Sequence, residues 1–198
     1  MKRLLPIVEG DGDAKAVPVL LRRILAAQGI YDAKILPAHR RGEYPMVAKN
    51  FDSYFQAATK EKAAILWVLD FDAKGYDCPL KEAKCLLARA QALRPNWPLK
   101  IAFLVKEYET LFLFDEAASR AVFPDISAKI SFPEVPEEIR DAKGWLSKSR
   151  PCGMAYKETV HQEKITSRLN FDLLRARSAD LVHLERAVIE LVNAVIPE

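Results

Sequence analysis

The sequence predicts an α/β protein with a Rossmann-like, mainly parallel four-stranded sheet flanked by helices, followed by a C-terminal helical extension. Short apolar runs alternate with amphipathic segments of helix length over residues 1–123, and this alternation stops at residue 124. The third apolar run has no polar interruption, which is typical of a parallel strand covered on both faces. We therefore expect an α/β domain over 1–123, and a linker with a helical extension packed on that domain over 124–198.

The four predicted strands are short apolar runs that polar or turn-forming residues bring to an end. They lie at Arg3–Val8, Ala33–Pro37, Ala63–Leu69 and Leu99–Val105. Each is followed by a segment whose apolar residues recur every three or four positions, which is the period of an amphipathic helix. These helices are predicted at Ala14–Gln28, Pro45–Thr59, Pro79–Leu93 and Glu107–Ala121. Strands that alternate with helices of this length predict right-handed βαβ units.

The last third of the chain has a different pattern. Residues Pro124–Pro136 carry three prolines among them and show no period, so they are predicted to form a connecting loop. From Glu137 onward the sequence reads as helical. Ser178 followed by Asp180 is typical of a helix start, and the apolar residues beyond it recur on one face.

Composition excludes several classes of protein. Of the 198 residues, 50% are hydrophobic and 29% charged, which indicates a globular chain rather than a disordered one. No apolar run is long enough to span a bilayer, and acidic residues from Glu9 onward interrupt any signal peptide. The three cysteines show no paired spacing, which favours reduced thiols and a cytoplasmic location. The net charge of +3 is compatible with a nucleic-acid partner.

Carboxylates follow three of the four predicted strands. Glu9 ends the first strand, Asp70 and Asp72 end the third, and Glu107 and Glu109 follow the fourth. Ligands of parallel α/β sheets bind at the carboxyl ends of the strands, and residues two apart on extended chain point to the same side. Such a cluster of like charges favours Mg²⁺ or Mn²⁺, which takes carboxylate and phosphate oxygens. Any one of these residues could instead cap the helix that follows it.

At these residues the sequence resembles the Toprim superfamily of nucleic-acid enzymes. A Glu-Gly pair at the end of the first strand and an Asp-x-Asp at the end of a later one match Ile7–Gly10 and Leu66–Asp72. The likeness is greatest to a stand-alone, uncharacterised bacterial Toprim-like family related to the overcoming-lysogenization-defect (OLD) nucleases. The segments that carry it are Leu20–Arg23, Glu107–Phe112, Tyr156-Lys157 and Arg175–Ser178.

The resemblance implies a Mg²⁺- or Mn²⁺-dependent nuclease that hydrolyses phosphodiester bonds in DNA or RNA, as an anti-phage or DNA-repair effector. Glu9, Asp70 and Asp72 would be the catalytic and metal-binding carboxylates. Glu107 or Glu109 would supply the carboxylate of a second metal ion, as in the nuclease branch. The chain departs from many active Toprim enzymes after Asp72, where Ala73-Lys74-Gly75 stands in place of further acidic residues.

Basic residues are predicted near the same edge. His39, Arg40 and Arg41 follow the second strand, where they could hold substrate phosphates, although a solvated basic loop fits equally well. Lys74 could neutralise the acidic pair or contact phosphate, and the first role is favoured. No bound nucleotide cofactor is expected, because the Gly-Asp-Gly-Asp turn lacks a third glycine and its acids would repel a pyrophosphate.

Two other functions are weighed against the nuclease. The chain has no GxxxxGK[ST] motif, so a non-catalytic or conditionally active subunit of a separate ATPase is the alternative, and a homo-oligomer is compatible with the sequence. A phosphohydrolase of the haloacid-dehalogenase type is disfavoured. Its Asp-x-Asp pair ends the first strand, whereas Asp70 and Asp72 end the third strand of this chain.

Overall fold

The computed structural model describes residues 2–71, 75–76 and 78–197. Its sheet consists of five parallel strands: β1 (Lys2–Val8), β2 (Ala33–Ile35), β3 (His39–Arg40), β4 (Ala64–Phe71) and β5 (Leu99–Val105). The strand order is β2-β1-β4-β5, and β3 pairs with β1 farther along the edge that β2 occupies. The predicted class, a parallel α/β sheet flanked by helices with a helical C-terminal part, is confirmed.

The predicted second strand is divided into β2 and β3. Leu4 of β1 pairs with Ile35 of β2, and Ile7 of β1 pairs with His39 of β3. Between these two pairs the chain advances by four residues from β2 to β3 but by only three along β1. This extra residue is a bulge that includes Pro37, which has no N–H to donate to the ladder. The carbonyls of Leu4 and Val8 accept hydrogen bonds from the chain of β2 and β3. Pro6 lies between them and faces the bulge, so its missing N–H breaks no hydrogen bond. The bulge explains how a proline is accommodated in a central strand.

Helices cover both faces of the sheet. Helices α1 (Asp11–Ala27) and α9 (Ala179–Asn193) pack on one face, and α2 (Tyr44–Thr59) and α3 (Pro79–Leu93) pack on the other. Side chains along β4 point alternately to the two faces of the sheet. Leu66 and Val68 pack in the core with α1 and α9, and Ile65 and Trp67 pack in the core with α2 and α3. This is the burial on two faces that an uninterrupted apolar strand predicts.

The predicted helix at Glu107–Ala121 is wrong in its start and its continuity. The chain forms α4 (Thr110–Phe114) and α5 (Glu116–Val122), preceded by a turn that begins at Lys106 with a φ of 70°. Asp115 separates the two helices. Its Oδ1 accepts the N–H of Ala118 at 2.9 Å and its Oδ2 accepts the N–H of Asn170 at 2.6 Å, so this buried carboxylate ends one helix, caps the next and holds the C-terminal region.

The C-terminal part is helical, as predicted. After the loop come a 3-10 turn (Pro136–Glu138) and the helices α6 (Ala142–Lys148), α7 (Glu158–Thr166) and α8 (Phe171–Arg177), which precede α9. Helix α7 packs closely against α1, because a Cβ at Gly12 would lie 2.0 Å from Gln162 Oε1 and 2.8 Å from Glu158 Cβ. Among the described residues, no helix combines the length and apolar character that a bilayer span requires.

The strand order reverses direction at one point. From β1 the chain moves to β2 and β3 on one side, and then crosses to β4 and β5 on the other. In parallel α/β sheets, the crevice between the carboxyl ends of the two strands at such a reversal is where ligands bind. The crevice between β1 and β4 is therefore the first place to look for a functional site.

Candidate acidic site at the carboxyl edge of the sheet

Glu9 and Asp70 meet at this crevice. Glu9 directly follows β1, Asp70 is the penultimate residue of β4, and the register of Ile7 opposite Trp67 brings these two strand ends together. Both side chains line a cleft of about 620 Å³. An oxygen of Asp70 accepts the backbone N–H of Tyr108 at 2.8 Å, whereas Oε1 of Glu9 is buried without a hydrogen-bond partner. The predicted convergence of these two carboxylates is present in the fold.

The cleft draws its lining from both halves of the chain. Its residues are Glu9, Gly10, Asp13, Gly42, Glu43, Tyr44, Pro45, Asp70, Phe71, Tyr76, Lys106, Glu107, Lys143 and Glu158. The strand ends form its floor, the first turn of α1 and the start of α2 form two walls, and residues from α6 and α7 close another side.

Asp13 is a third carboxylate of the site that sequence reasoning did not select. It lies in the first turn of α1, where Oδ2 accepts the N–H of Gly10 at 2.9 Å and Oδ1 accepts the side-chain amide of Gln162 at 2.6 Å. Its sequence signal is an acid three residues after Gly10, which is also the signal of an ordinary helix start. Only its contact with Gln162, from α7, distinguishes it from such a residue.

Electrostatic crowding is the main property of the site. Burial and Asp13, with a smaller contribution from Glu43, raise the pKa of Glu9 to about 7, while the Asp70 backbone N–H and Lys143 act in the opposite direction. Burial, with Asp13, Glu109 and Glu9, raises the pKa of Asp70 well above its usual range. Carboxylates whose ionisation is this unfavourable gain most from a cation placed between them.

Lys143 brings a positive charge into the cluster and was not predicted from the sequence. Its Nζ lies 2.9 Å from Glu158 Oε1 and 3.8 Å from Glu109 Oε2, and its backbone N–H donates to Glu107 Oε2 at 3.2 Å. Burial disfavours the charged ammonium, but Glu109 and Glu158 outweigh that effect and raise the pKa of Lys143. The residue is positioned by α6, whose N-cap Asp141 accepts the N–H of Gly144 at 2.6 Å.

Glu109 is held more firmly than the other carboxylates. Its side chain is 1% exposed, and its Oε1 accepts the hydroxyl of Tyr156 at 2.9 Å. Burial raises the pKa of Glu109 to about 8, although Lys143 and the Tyr156 hydroxyl act in the opposite direction. Glu107 lines the cleft, and burial also raises its pKa. The two acids predicted after the fourth strand thus both lie beside Lys143.

The predicted basic residues lie outside the cleft lining, on or just after β3. Arg40 Nη1 is 2.7 Å from Asp11 Oδ2, and the guanidinium of Arg41 lies 5.1 Å from the ring centre of Tyr54. His39 Nε2 lies 3.9 Å from Glu61 Oε1. Each of these side chains is already engaged locally, in a position next to the end of β1. The remaining predicted site residues, Asp72 and Lys74, lie outside the described residues.

The fit of a metal ion rests on a small donor set. Among the residues that the structure describes, no three Asp, Glu, His or Cys side chains are grouped as a complete metal site. Mg²⁺ does not require one, because it usually keeps several waters and takes one or two carboxylates together with substrate phosphates. Glu9 and Asp70 meet that requirement. Oε1 of Glu9 is buried without a hydrogen-bond partner, so this oxygen is available to coordinate a metal ion.

A comparison with curated proteins finds no significant match. Among solved structures, the chain is similar to the C-terminal region of the Burkholderia pseudomallei OLD protein, with 16% identity, a TM-score of 0.45, and coverage of 97% of either chain. The same region of the Xanthomonas campestris pv. campestris OLD protein gives 14% identity and a TM-score of 0.43, over 98% of this chain and 96% of that one.

A family 3 carbohydrate esterase from Clostridium thermocellum gives 10% identity and a TM-score of 0.38, over 88% of this chain and 98% of the esterase. All of these TM-scores lie below 0.5, so no role is transferred from these proteins to residues of the cleft. A family model, in contrast, matches residues 8–188, which is most of the chain. The chain therefore belongs to the family described as Domain of unknown function (DUF4276).

Proposed function

We propose that this protein is a Mg²⁺- or Mn²⁺-dependent hydrolase of phosphodiester bonds in DNA or RNA. The observation that carries the proposal is the pairing of Glu9 with Asp70 at the reversal point of the strand order, with one oxygen of Glu9 buried and unpartnered. Two crowded carboxylates with unfavourable ionisation provide a site for a divalent cation, and phosphate oxygens complete the coordination of such a cation.

The resemblance to the Toprim superfamily supports the same proposal. Its motifs lie at Ile7–Gly10 and Leu66–Asp72, and within them Glu9 and Asp70 lie at the ends of neighbouring strands. A Toprim site needs its Glu-Gly and its Asp-x-Asp at one edge of the sheet. Asp72 belongs to this proposed site by its place in the motif alone.

The residues of the cleft would divide the chemistry between them. A bound Mg²⁺ supplies a Lewis acid that polarises the phosphate and lowers the pKa of its water. Glu9 and Asp70 hold the cation, and Asp13 orients the start of α1 through the N–H of Gly10. Lys106 and Lys143 line the cleft and offset the negative charge of an entering phosphate. His39, Arg40, Arg41 and Lys74 are proposed as outer phosphate contacts.

The proposal is tested by nuclease assays on the purified chain with single- and double-stranded DNA and RNA. We expect cleavage with Mg²⁺ or Mn²⁺, none with a chelator, and a loss of about 100-fold or more in Asp70→Asn and Glu9→Gln. Glu138→Gln is a matched control, because Glu138 is an exposed acid that does not line the cleft. Cleavage without metal, or undiminished cleavage by both variants, contradicts the proposal.

A conditionally active subunit of a separate ATPase is the second candidate. It is motivated by the segment after Asp72, where Ala73-Lys74-Gly75 stands in place of the further acidic residues of many active Toprim enzymes. Anti-phage defence and DNA repair are the settings we propose for either version. The two candidates separate in one comparison: turnover by the purified chain favours the nuclease, and turnover only after addition of an ATPase partner favours the subunit.

A further inference from the structure

We propose that the ammonium group of Lys143 takes the place of a second metal ion, so that the protein works with a single divalent cation. This inference rests on the proposed function and concerns the same cleft. The resemblance to two-metal nucleases implies that Glu107 or Glu109 is a ligand of a second ion. The structure instead engages both of these carboxylates with one residue, Lys143.

Glu109 has little capacity left for a metal ion. Its Oε1 accepts the Tyr156 hydroxyl at 2.9 Å, and its Oε2 has no hydrogen bond and lies 3.8 Å from Lys143 Nζ. The side chain is 1% exposed. Mg²⁺ needs six oxygens at about 2.0–2.1 Å and usually keeps several waters. Glu109 Oε2, like Glu9 Oε1, is buried without a hydrogen bond, but it faces the ammonium of Lys143. While that ammonium is in place, there is no room beside Oε2 for a hydrated cation.

Glu107 is engaged through the backbone of the same residue. Its Oε2 accepts the N–H of Lys143 at 3.2 Å, which ties the turn after β5 to the first turn of α6. A metal ion on that oxygen would have to displace this hydrogen bond and approach the ammonium of the same residue. The carboxylate therefore acts as a support that sets the position of α6, and through it the position of the Lys143 side chain.

Two carboxylates hold the ammonium group of Lys143 in its position. Glu158 Oε1 lies 2.9 Å from Lys143 Nζ, so the side chain bridges Glu158 and Glu109 across the wall of the cleft. Lys143 lines the same cleft as Glu9 and Asp70. A fixed positive charge in this place stabilises negative charge on the phosphate without a second metal-binding event. Lys143 therefore positions the phosphate of the substrate beside the single metal ion.

The experiment counts Mn²⁺ ions per chain at pH 8 by calorimetric titration and by the electron paramagnetic resonance signal of free Mn²⁺. We expect one ion for the unmodified protein, one for Lys143→Arg, and two for Lys143→Ala, which removes the ammonium that faces Glu109 Oε2 and leaves room for a hydrated ion beside that oxygen. Lys143→Ala combined with Glu109→Gln should return to one ion, which would locate the second ion at Glu109. Thermal unfolding of each variant shows that it is folded.

Several outcomes would contradict the inference, and they are distinct from failure of the proposed function. Two ions on the unmodified protein overturn the role of Lys143 while leaving a metal-dependent hydrolase intact. A folded Lys143→Ala protein that still binds one ion also overturns it. Absence of Mn²⁺ binding by the unmodified protein would instead remove the proposed function, and the inference with it. The count on the unmodified protein is decisive even if a variant does not fold.

Discussion

Replacing Glu9 by glutamine is expected to stabilise the metal-free protein at alkaline pH while abolishing its metal-dependent activity. In the fold, burial, Asp13 and Glu43 raise the pKa of Glu9 from 4.5 to about 7. Between these two pH values the folded protein keeps a proton that the unfolded chain has released. The free energy of unfolding therefore falls as the pH rises from about 4.5 to about 7, and above pH 7 the whole penalty is present.

The size of the effect follows from that difference in proton affinity. Each tenfold change corresponds to about 1.4 kcal/mol, so ionised Glu9 destabilises the fold by roughly 3 kcal/mol. Solvent that reaches the partly exposed Glu9 side chain reduces this figure to about 2 kcal/mol. Glutamine has nearly the same shape and no charge, so it removes the penalty. For a chain of this length, 2 kcal/mol corresponds to a rise of roughly 4–8 °C in melting temperature.

The measurement is urea unfolding in the presence of a chelator, at pH 5 and at pH 8, for the unmodified protein and for Glu9→Gln. We expect a small difference at pH 5 and a gain of about 2 kcal/mol at pH 8. Glu138→Gln serves as the control, because surface substitutions of this kind usually change stability by about 0.5 kcal/mol or less at any pH. A Glu9→Gln protein that is less stable at pH 8, or whose gain is equal at both pH values, would refute the reasoning.

Three further predictions concern ligand binding and packing. Mg²⁺ at about 100 times its dissociation constant should stabilise the unmodified protein by about 2.7 kcal/mol and the Glu9→Gln protein by much less. Thermal unfolding with and without Mg²⁺ measures both effects. Gly12→Ala should destabilise the fold by about 1–3 kcal/mol in urea unfolding, because its methyl group would overlap Gln162 on α7; a neutral result would show that α7 can move away. Asp115→Ala should lower the free energy of unfolding by about 2–4 kcal/mol, since it leaves the buried N–H of Ala118 and the N–H of Asn170 without their acceptor. An equally stable variant would show that water replaces the carboxylate.

Much of the sheet could be predicted because its signals are local. The uninterrupted apolar run at Ala63–Leu69 predicts a strand buried on both faces, which the fold has as β4, and the predicted bounds of α3 at Pro79–Leu93 match those in the fold. The break at Asp115 could not be predicted in the same way. Its reason is a hydrogen bond to Asn170, 55 residues farther along the chain, and the helical period continues on both sides of it.

The candidate site likewise has one part that the sequence predicts and another that it does not. That Glu9 and Asp70 would lie together follows from the sequence alone, because each comes at the end of a predicted parallel strand and such ends lie at one edge of a sheet. The contact of Asp13 with Gln162, 149 residues away, and the position of Lys143 beside Glu109 became visible only in the folded protein. The physical reason is that hydrophobic periodicity reports which face of an element is buried, whereas the seating of α6 and α7 depends on side-chain packing between distant segments.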